Sequence, residues 1–202
     1  MDDLEARTQQ ELAAIVTILT ELTGLPSRWS GRVELVPEAE FKGRKRPICD
    51  IQIDADSVTK ETRWATLIHE ALHSISVGYN SSDFRQFRGW EEGIVEQLHR
   101  IFRPAILGKL GIALANDVFD AEEEAHAFNG YIAALESLRL MLNESASAQG
   151  KQEFYLDLLA LPISDRPDSV LRVIFAMEQP QRGVFISAFS RANSILKLRA
   201  SR

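Results

Sequence analysis

Trp64-Ala65-Thr66-Leu67-Ile68-His69-Glu70-Ala71-Leu72-His73-Ser74-Ile75-Ser76 is the stretch on which the rest of the chain is organised. At about 100° per residue, Trp64, Leu67, Ile68, Ala71, Leu72 and Ile75 fall on one apolar stripe. Thr62, Thr66, His69, His73 and Ser76 fall on the opposite side, with Glu70 next to them. The spacing predicts an amphipathic helix with one face for a core and both histidines on the polar face. Imidazoles at i and i+4 lie nearly one above the other, so the pair His69 and His73 can hold one zinc ion. Glu70 projects alongside them, close enough to take a proton from an attacking water. The plainer reading is a buried helix carrying two hydrogen-bonded histidines.

Two imidazoles rarely hold catalytic zinc unaided, so a third ligand is needed. A metzincin continuation would require Gly at 76 and His at 79, where this chain has Ser76 and Tyr79, and that branch is excluded. Downstream stands Gly89-Trp90-Glu91-Glu92-Gly93-Ile94-Val95-Glu96, with eighteen residues between His73 and Glu92. Here the chain resembles the gluzincins, HExxH zinc peptidases whose third ligand is a Glu on a following helix. His69, Glu70, His73, Glu92 and Gly93 match the aminopeptidase branch of that group. The resemblance covers roughly residues 48–100. It implies a zincin-like fold, a Zn2+ site formed by His69, His73 and Glu92, and Glu70 as general base. No counterpart of the aminopeptidases' Gly-Ala-Met-Glu-Asn motif is present, so exopeptidase activity does not carry over. The size looks more like a minimal, single-domain gluzincin.

The second helix agrees independently. Glu92, Glu96 and His99 are spaced i, i+4, i+7 and share one face, while Ile94, Val95, Leu98, Ile101 and Phe102 form the other. Glu96, one turn after Glu92, is placed to orient a ligand imidazole rather than to bind metal itself. A solvated acidic face is the commoner fate of such glutamates.

The chain has 202 residues, 45% hydrophobic and 26% charged, enough for one domain with a sizeable core. The expected organisation is a metallopeptidase core over 1–143 and a helical extension over 144–202 packed on it. A net charge of −6 argues against general nucleic-acid or membrane-surface binding. The single cysteine, Cys49, excludes an intramolecular disulfide and a Cys-rich metal cluster. The acidic start leads into no long apolar run, and the expectation is a cytoplasmic protein without a membrane span.

Residues 2–23 are expected to form an amphipathic helix with Leu12, Ile15, Val16, Leu19 and Leu22 inward and Gly24 as its stop, either core packing or a prosegment. Arg32–Val36 and Ile48–Asp54 alternate like strands. In the second, Cys49, Ile51 and Ile53 face one way and Ile48, Asp50, Gln52 and Asp54 the other. Lys42-Gly43-Arg44-Lys45-Arg46 between them reads as a basic turn. By the gluzincin resemblance, Ile48–Asp54 would lie above the cleft and pair with extended substrate.

Gly78–Gly89 is expected to be irregular, Pro104 to break the second helix, and Ile106–Ala115 to form a short helix of its own. Glu122–Asn143 is expected to be one long helix, with Glu122, Glu123 and Glu124 at its N-terminus. The resemblance calls for a downstream Tyr or His donor to the oxyanion, and Tyr131 is the candidate, with His126 and Tyr79 as alternatives. Asn143–Lys151 is expected to be a linker, followed by helices over Gln152–Leu161, Pro167–Met177 and Gly183–Lys197 and a basic tail. No chemistry is apparent in 144–202.

The expected class is therefore α+β: a zincin-like core with a small sheet and an HExxH helix, then a mostly helical C-terminal half. The expected function is a zinc-dependent peptidase acting on a peptide or protein substrate. Two other readings stand beside it: a zincin-fold protein acting by binding with little turnover, and a metal-free helical interaction protein. The substrate and the oligomeric state are not legible.

Overall fold

Ile51 and Ile53 alternate with Gln52 and Asp54, and this short pattern forms the centre of the only sheet among the described residues. The structure, a computed structural model, describes residues 2–46, 50–115, 117–142 and 147–197. The described residues are mixed α+β, 69% of them helical, with one three-stranded sheet. Strand β1 (Val33–Val36) pairs parallel with β3 (Ile51–Asp54), and β2 (Gly43–Lys45) pairs antiparallel with the other side of β3. The order is β1-β3-β2, with Val33 opposite Ile51 and Gly43 opposite Ile53. Ile51 and Ile53 are fully buried. On the other face the Gln52 amide donates to Glu34 at 2.6 Å and accepts from Arg44 Nε at 2.9 Å.

Two expectations change here. The basic run is not a turn, because Gly43, Arg44 and Lys45 pair with Ile53, Gln52 and Ile51 as an edge strand. Its charges are engaged: Arg44 also stacks on Phe41 at 4.5 Å, and Lys42 meets Glu122 at 2.9 Å. Consequently the strand ending at Asp54 is central, with both its edges paired, and cannot accept an added substrate strand. Ile48 and Cys49, expected to begin it, lie outside the described residues.

The described chain divides into two compact units, one comprising residues up to Ser76 with His99–Glu124 and the other Val77–Leu98 with the residues from Ala125 on. In the first, α1 (Asp2–Thr23) packs on α2 (Arg63–Ile75). Leu12, Ile15 and Leu19 of α1 are fully buried, and Glu11 receives Arg63 Nη2 at 3.0 Å and Nε at 3.1 Å. Gly24, at φ 69°, ends α1 as expected.

Helix α4 runs from Arg88 to Lys109 with Pro104 inside it, so the expected break and the separate helix from Ile106 do not occur. An interior proline costs about 3 kcal/mol. Burial of Phe102, Ile106 and Leu107, each worth roughly 1.5–3 kcal/mol, offsets that cost. Arg103 adds a contact over the Phe119 ring at 4.1 Å and an ion pair with Glu123.

The expected helix over Glu122–Asn143 is two helices, α5 (Asp117–Glu124) and α6 (Asn129–Met141). Glu122–Glu124 thus closes a helix instead of opening one, where the dipole disfavours acid. Lys42 on Glu122, and Arg100 and Arg103 on Glu123, compensate. In the intervening loop the Phe128 amide donates to His126 Nδ1, a local bond that competes with helix continuation.

The second unit contains α3 (Ser81–Gln86), α6, α7 (Ala148–Leu159), α8 (Arg166–Ala176) and α9 (Gln181–Lys197). Helix α3 replaces the expected irregular stretch because Asn80 Oδ1 caps it, accepting from Ser82 and Asp83 amides at 3.1 and 2.9 Å. Helix α7 begins inside the expected linker, capped by Ser147, whose Oγ accepts from the Gly150 amide. Asn143–Ala146 and the tail from 198 lie outside the described residues.

Helices α6 and α7 are joined through Glu136, which accepts from Tyr155 Oη at 2.8 Å and from Arg139 Nη2 at 2.9 Å. Burial pushes this carboxyl up, but hydrogen bonds from Arg139 and Tyr155 outweigh it and hold it below its ordinary 4.5. A depressed carboxyl lends stability that is present above its unfolded value and is lost as pH falls through the folded one. Thermal melts should therefore separate wild type from Glu136→Gln at pH 7, with the gap narrowing below about pH 4.5. An equal gap at pH 7 and pH 3 would contradict this.

Candidate metal centre

Every residue of the apolar stripe on α2 is buried: Trp64, Leu67, Ile68, Ala71, Leu72 and Ile75. That burial, roughly 1.5–3 kcal/mol for each large side chain, fixes the rotation of the helix. His69 and His73 thereby share the other face, with ring centroids 4.9 Å apart and planes at 76°. His69 is half-buried and His73 buried.

Glu92 stands one turn into α4, and its rotation is fixed by three anchors in the second unit. The backbone at Gly89 lies so close to α9 that a Cβ there would sit 2.3 Å from the Leu196 carbonyl oxygen. Trp90 is fully buried, and its indole Nε1 donates to Asn193 Oδ1 at 2.9 Å. Glu91 receives Arg166 Nη1 of α8 at 2.5 Å, and both side chains are wholly buried. Helices in which the sequence shows no chemistry thus hold the start of α4, which carries Glu92.

His69, His73 and Glu92 form a group able to hold a metal ion, with one ligand atom from each and all three atoms within 4.8 Å of one another. Ligand bonds of ~2.0–2.2 Å set the atoms of one tetrahedral ion roughly 3.4 Å apart. The three atoms therefore exceed that spacing by at most about 1.4 Å. Two nitrogen donors and one carboxylate are a chemically coherent set for a divalent ion. Glu96 is not in this group; it is buried, and its Oε2 lies 3.7 Å from His126 Nε2.

Glu70 is buried on α2 beneath β2. A Cβ on Gly43 would fall 2.8 Å from Glu70 Cγ, 2.9 Å from its Oε1 and 2.8 Å from Thr66 Cγ2. Only a glycine lets the edge strand pass this near the carboxylate. A methyl group at position 43 would force Glu70, Thr66 or the strand itself to shift.

Tyr131 is buried in α6, its ring stacked on Phe128 with centroids 5.9 Å apart. A Cβ on Gly93 would lie 2.9 Å from Tyr131 Cβ, so the glycine after Glu92 admits α6 at short range. His126 is more exposed and beside Glu96, while Tyr79 packs on Phe84 at 5.4 Å. His99, on the predicted polar face of α4, is buried.

Arg88 has no place in the reading of the sequence. Its Nε donates to Glu92 Oε1 at 3.2 Å, and its guanidinium lies over the rings of Phe84 and Phe128, 5.8 Å from each centroid. The signal that reveals it is the i, i+4 spacing of Arg88 and Glu92 on a helix. No helix among the described residues is long and apolar enough to cross a membrane. Compared with known proteins, the chain matches no protein-family model, no curated protein and no solved structure.

Proposed function

We propose that the protein is a zinc-dependent peptidase of gluzincin type, with a zincin-like core. The observation that carries this reading is the convergence of His69, His73 and Glu92, donors from two helices whose spacing in the chain is that of the gluzincin motif. Two histidines and one carboxylate form the ligand set of catalytic rather than structural zinc. A bound zinc ion supplies a Lewis acid for the scissile carbonyl and lowers the pKa of water toward about 7.

The chain's own residues do the rest. Glu70, buried beside Gly43, takes a proton from the attacking water and delivers it to the leaving amine. β2, as an edge strand lying over Glu70, offers backbone groups to an extended peptide, which would add as a further strand. A donor to the developing oxyanion comes from Tyr131 or His126. Packing against Gly93 favours the first, and greater exposure beside Glu96 favours the second. Tyr131→Phe and His126→Ala, assayed separately, assign the role.

The test is cleavage of a broad peptide library by zinc-loaded protein, with Glu70→Gln as control. Cleavage by wild type and not by Glu70→Gln supports the proposal. Zinc binding without cleavage of any peptide would turn the reading to a zincin-fold protein that acts by binding.

A further inference from the structure

Three carboxylates follow one another along the start of α4, and each has a nitrogen partner in the same unit, an arginine for the first two and an imidazole for the third. Glu91 is neutralised by Arg166, Glu92 by Arg88, and Glu96 stands beside His126. The first of these cations is sealed from solvent, whereas the Arg88 side chain is 42% exposed. Arg88 spends only Nε on Glu92, and no other hydrogen bond joins it to a described residue. Its Nη1 and Nη2 end therefore remains available.

The guanidinium is also held in place. Phe84 from α3 and Phe128 from the loop before α6 each lie 5.8 Å from it. Cation–π contacts and the bond to Glu92 restrain the guanidinium before any ligand arrives, which lowers the entropy cost of binding. Two parallel N–H groups at the end of a fixed guanidinium match the two oxygens of a carboxylate, a geometry that lysine cannot supply.

We propose that Arg88 anchors a carboxylate of the bound peptide, making it the specificity-determining residue of the site. The inference rests on the peptidase reading for its ligand class, since carboxylates are the anions that an unmodified peptide carries. Two sources share this chemistry, an Asp or Glu side chain and the C-terminal carboxylate. Arg88 would select a substrate that is acidic at one position, although the chain as a whole carries a net charge of −6.

The experiment measures binding, so it does not depend on turnover. Fluorescently labelled peptides of one neutral sequence are prepared with Glu, Gln or Lys placed at successive positions, and with a free or amidated C-terminus. Their affinities are measured by anisotropy on zinc-loaded and metal-free Glu70→Gln protein, with and without Arg88→Gln, Arg88→Lys and Arg88→Glu. Zinc content is measured for each variant.

The expected result is that one acidic peptide binds about tenfold more tightly than its Gln or amide twin. The preference should vanish in Arg88→Gln, weaken in Arg88→Lys and turn toward a Lys-bearing peptide in Arg88→Glu. A preference for internal Glu identifies a side chain, and a preference for the free terminus identifies the terminal carboxylate. Equal weakening of acidic and neutral peptides in Arg88→Gln, accompanied by loss of zinc, would show that Arg88 only positions Glu92 and would overturn the proposal. Absence of any acidic preference, or of any peptide binding, would overturn it as well. An Arg88-dependent preference without cleavage by wild type would sink the peptidase reading alone, and cleavage without charge preference would sink this inference alone.

Discussion

Replacing Glu70 by Gln is expected to slow peptide hydrolysis by about 10²–10⁴-fold, the usual contribution of a general base, while zinc content stays that of the wild type. The amide keeps the length and shape of the side chain, so the close fit beneath Gly43 is undisturbed. His69, His73 and Glu92, which would hold the metal, are untouched. The amide cannot accept the proton that attack by water releases. Initial rates on a cleaved library peptide, with zinc measured in the same samples, check this. A folded, zinc-loaded Glu70→Gln that cleaves as fast as wild type would refute the assignment of Glu70.

The largest effect on stability is expected at Arg166. Its ion pair with Glu91 is wholly buried, and its Nε also donates to the Leu161 carbonyl at 3.3 Å. Removing one partner of a buried pair strands the other charge, at a cost of ~3–5 kcal/mol. For a chain of this size that corresponds to roughly 6–20 °C in Tm, at about 2–4 °C per kcal/mol. Arg166→Met should show that loss. Glu91→Leu combined with Arg166→Met should recover much of it, because no charge is then left buried. Glu91 adjoins Glu92, so the single variant should also bind zinc more weakly. A loss under 1 kcal/mol in chemical denaturation would show that the pair is not what anchors α4.

The most legible parts of the sequence were those where one periodicity decides the outcome. The apolar stripe of α2 specifies six buried positions and, by elimination, the face on which His69 and His73 stand together. The grouping of Glu92 with them also follows from spacing, through the resemblance. The basic run at Gly43–Lys45 was not legible, because its strand pairing comes from Ile51–Ile53 rather than from its own composition.

Pro104 misled for the reverse reason. A strong local signal yields to the burial of Phe102, Ile106 and Leu107 and to the contacts of Arg103. Glu122–Glu124 suits a helix N-terminus by charge alone, but Lys42, Arg100 and Arg103 allow the run to sit at a C-terminus. The anchoring of α4 by Arg166, Asn193 and Leu196 joins residues some 75–107 positions apart in the chain. No window of sequence carries such a contact. Arg88 lay within reach, since its partner is one helical turn away.

Zinc stoichiometry tests the central claim most directly. Purified protein loaded with zinc and then freed of excess should retain close to one ion per chain. Glu92→Ala should hold it more weakly with the fold intact by circular dichroism, and the triple variant His69→Ala, His73→Ala, Glu92→Ala should retain none. No zinc on the wild type after loading, or full retention by the triple variant, would contradict the account.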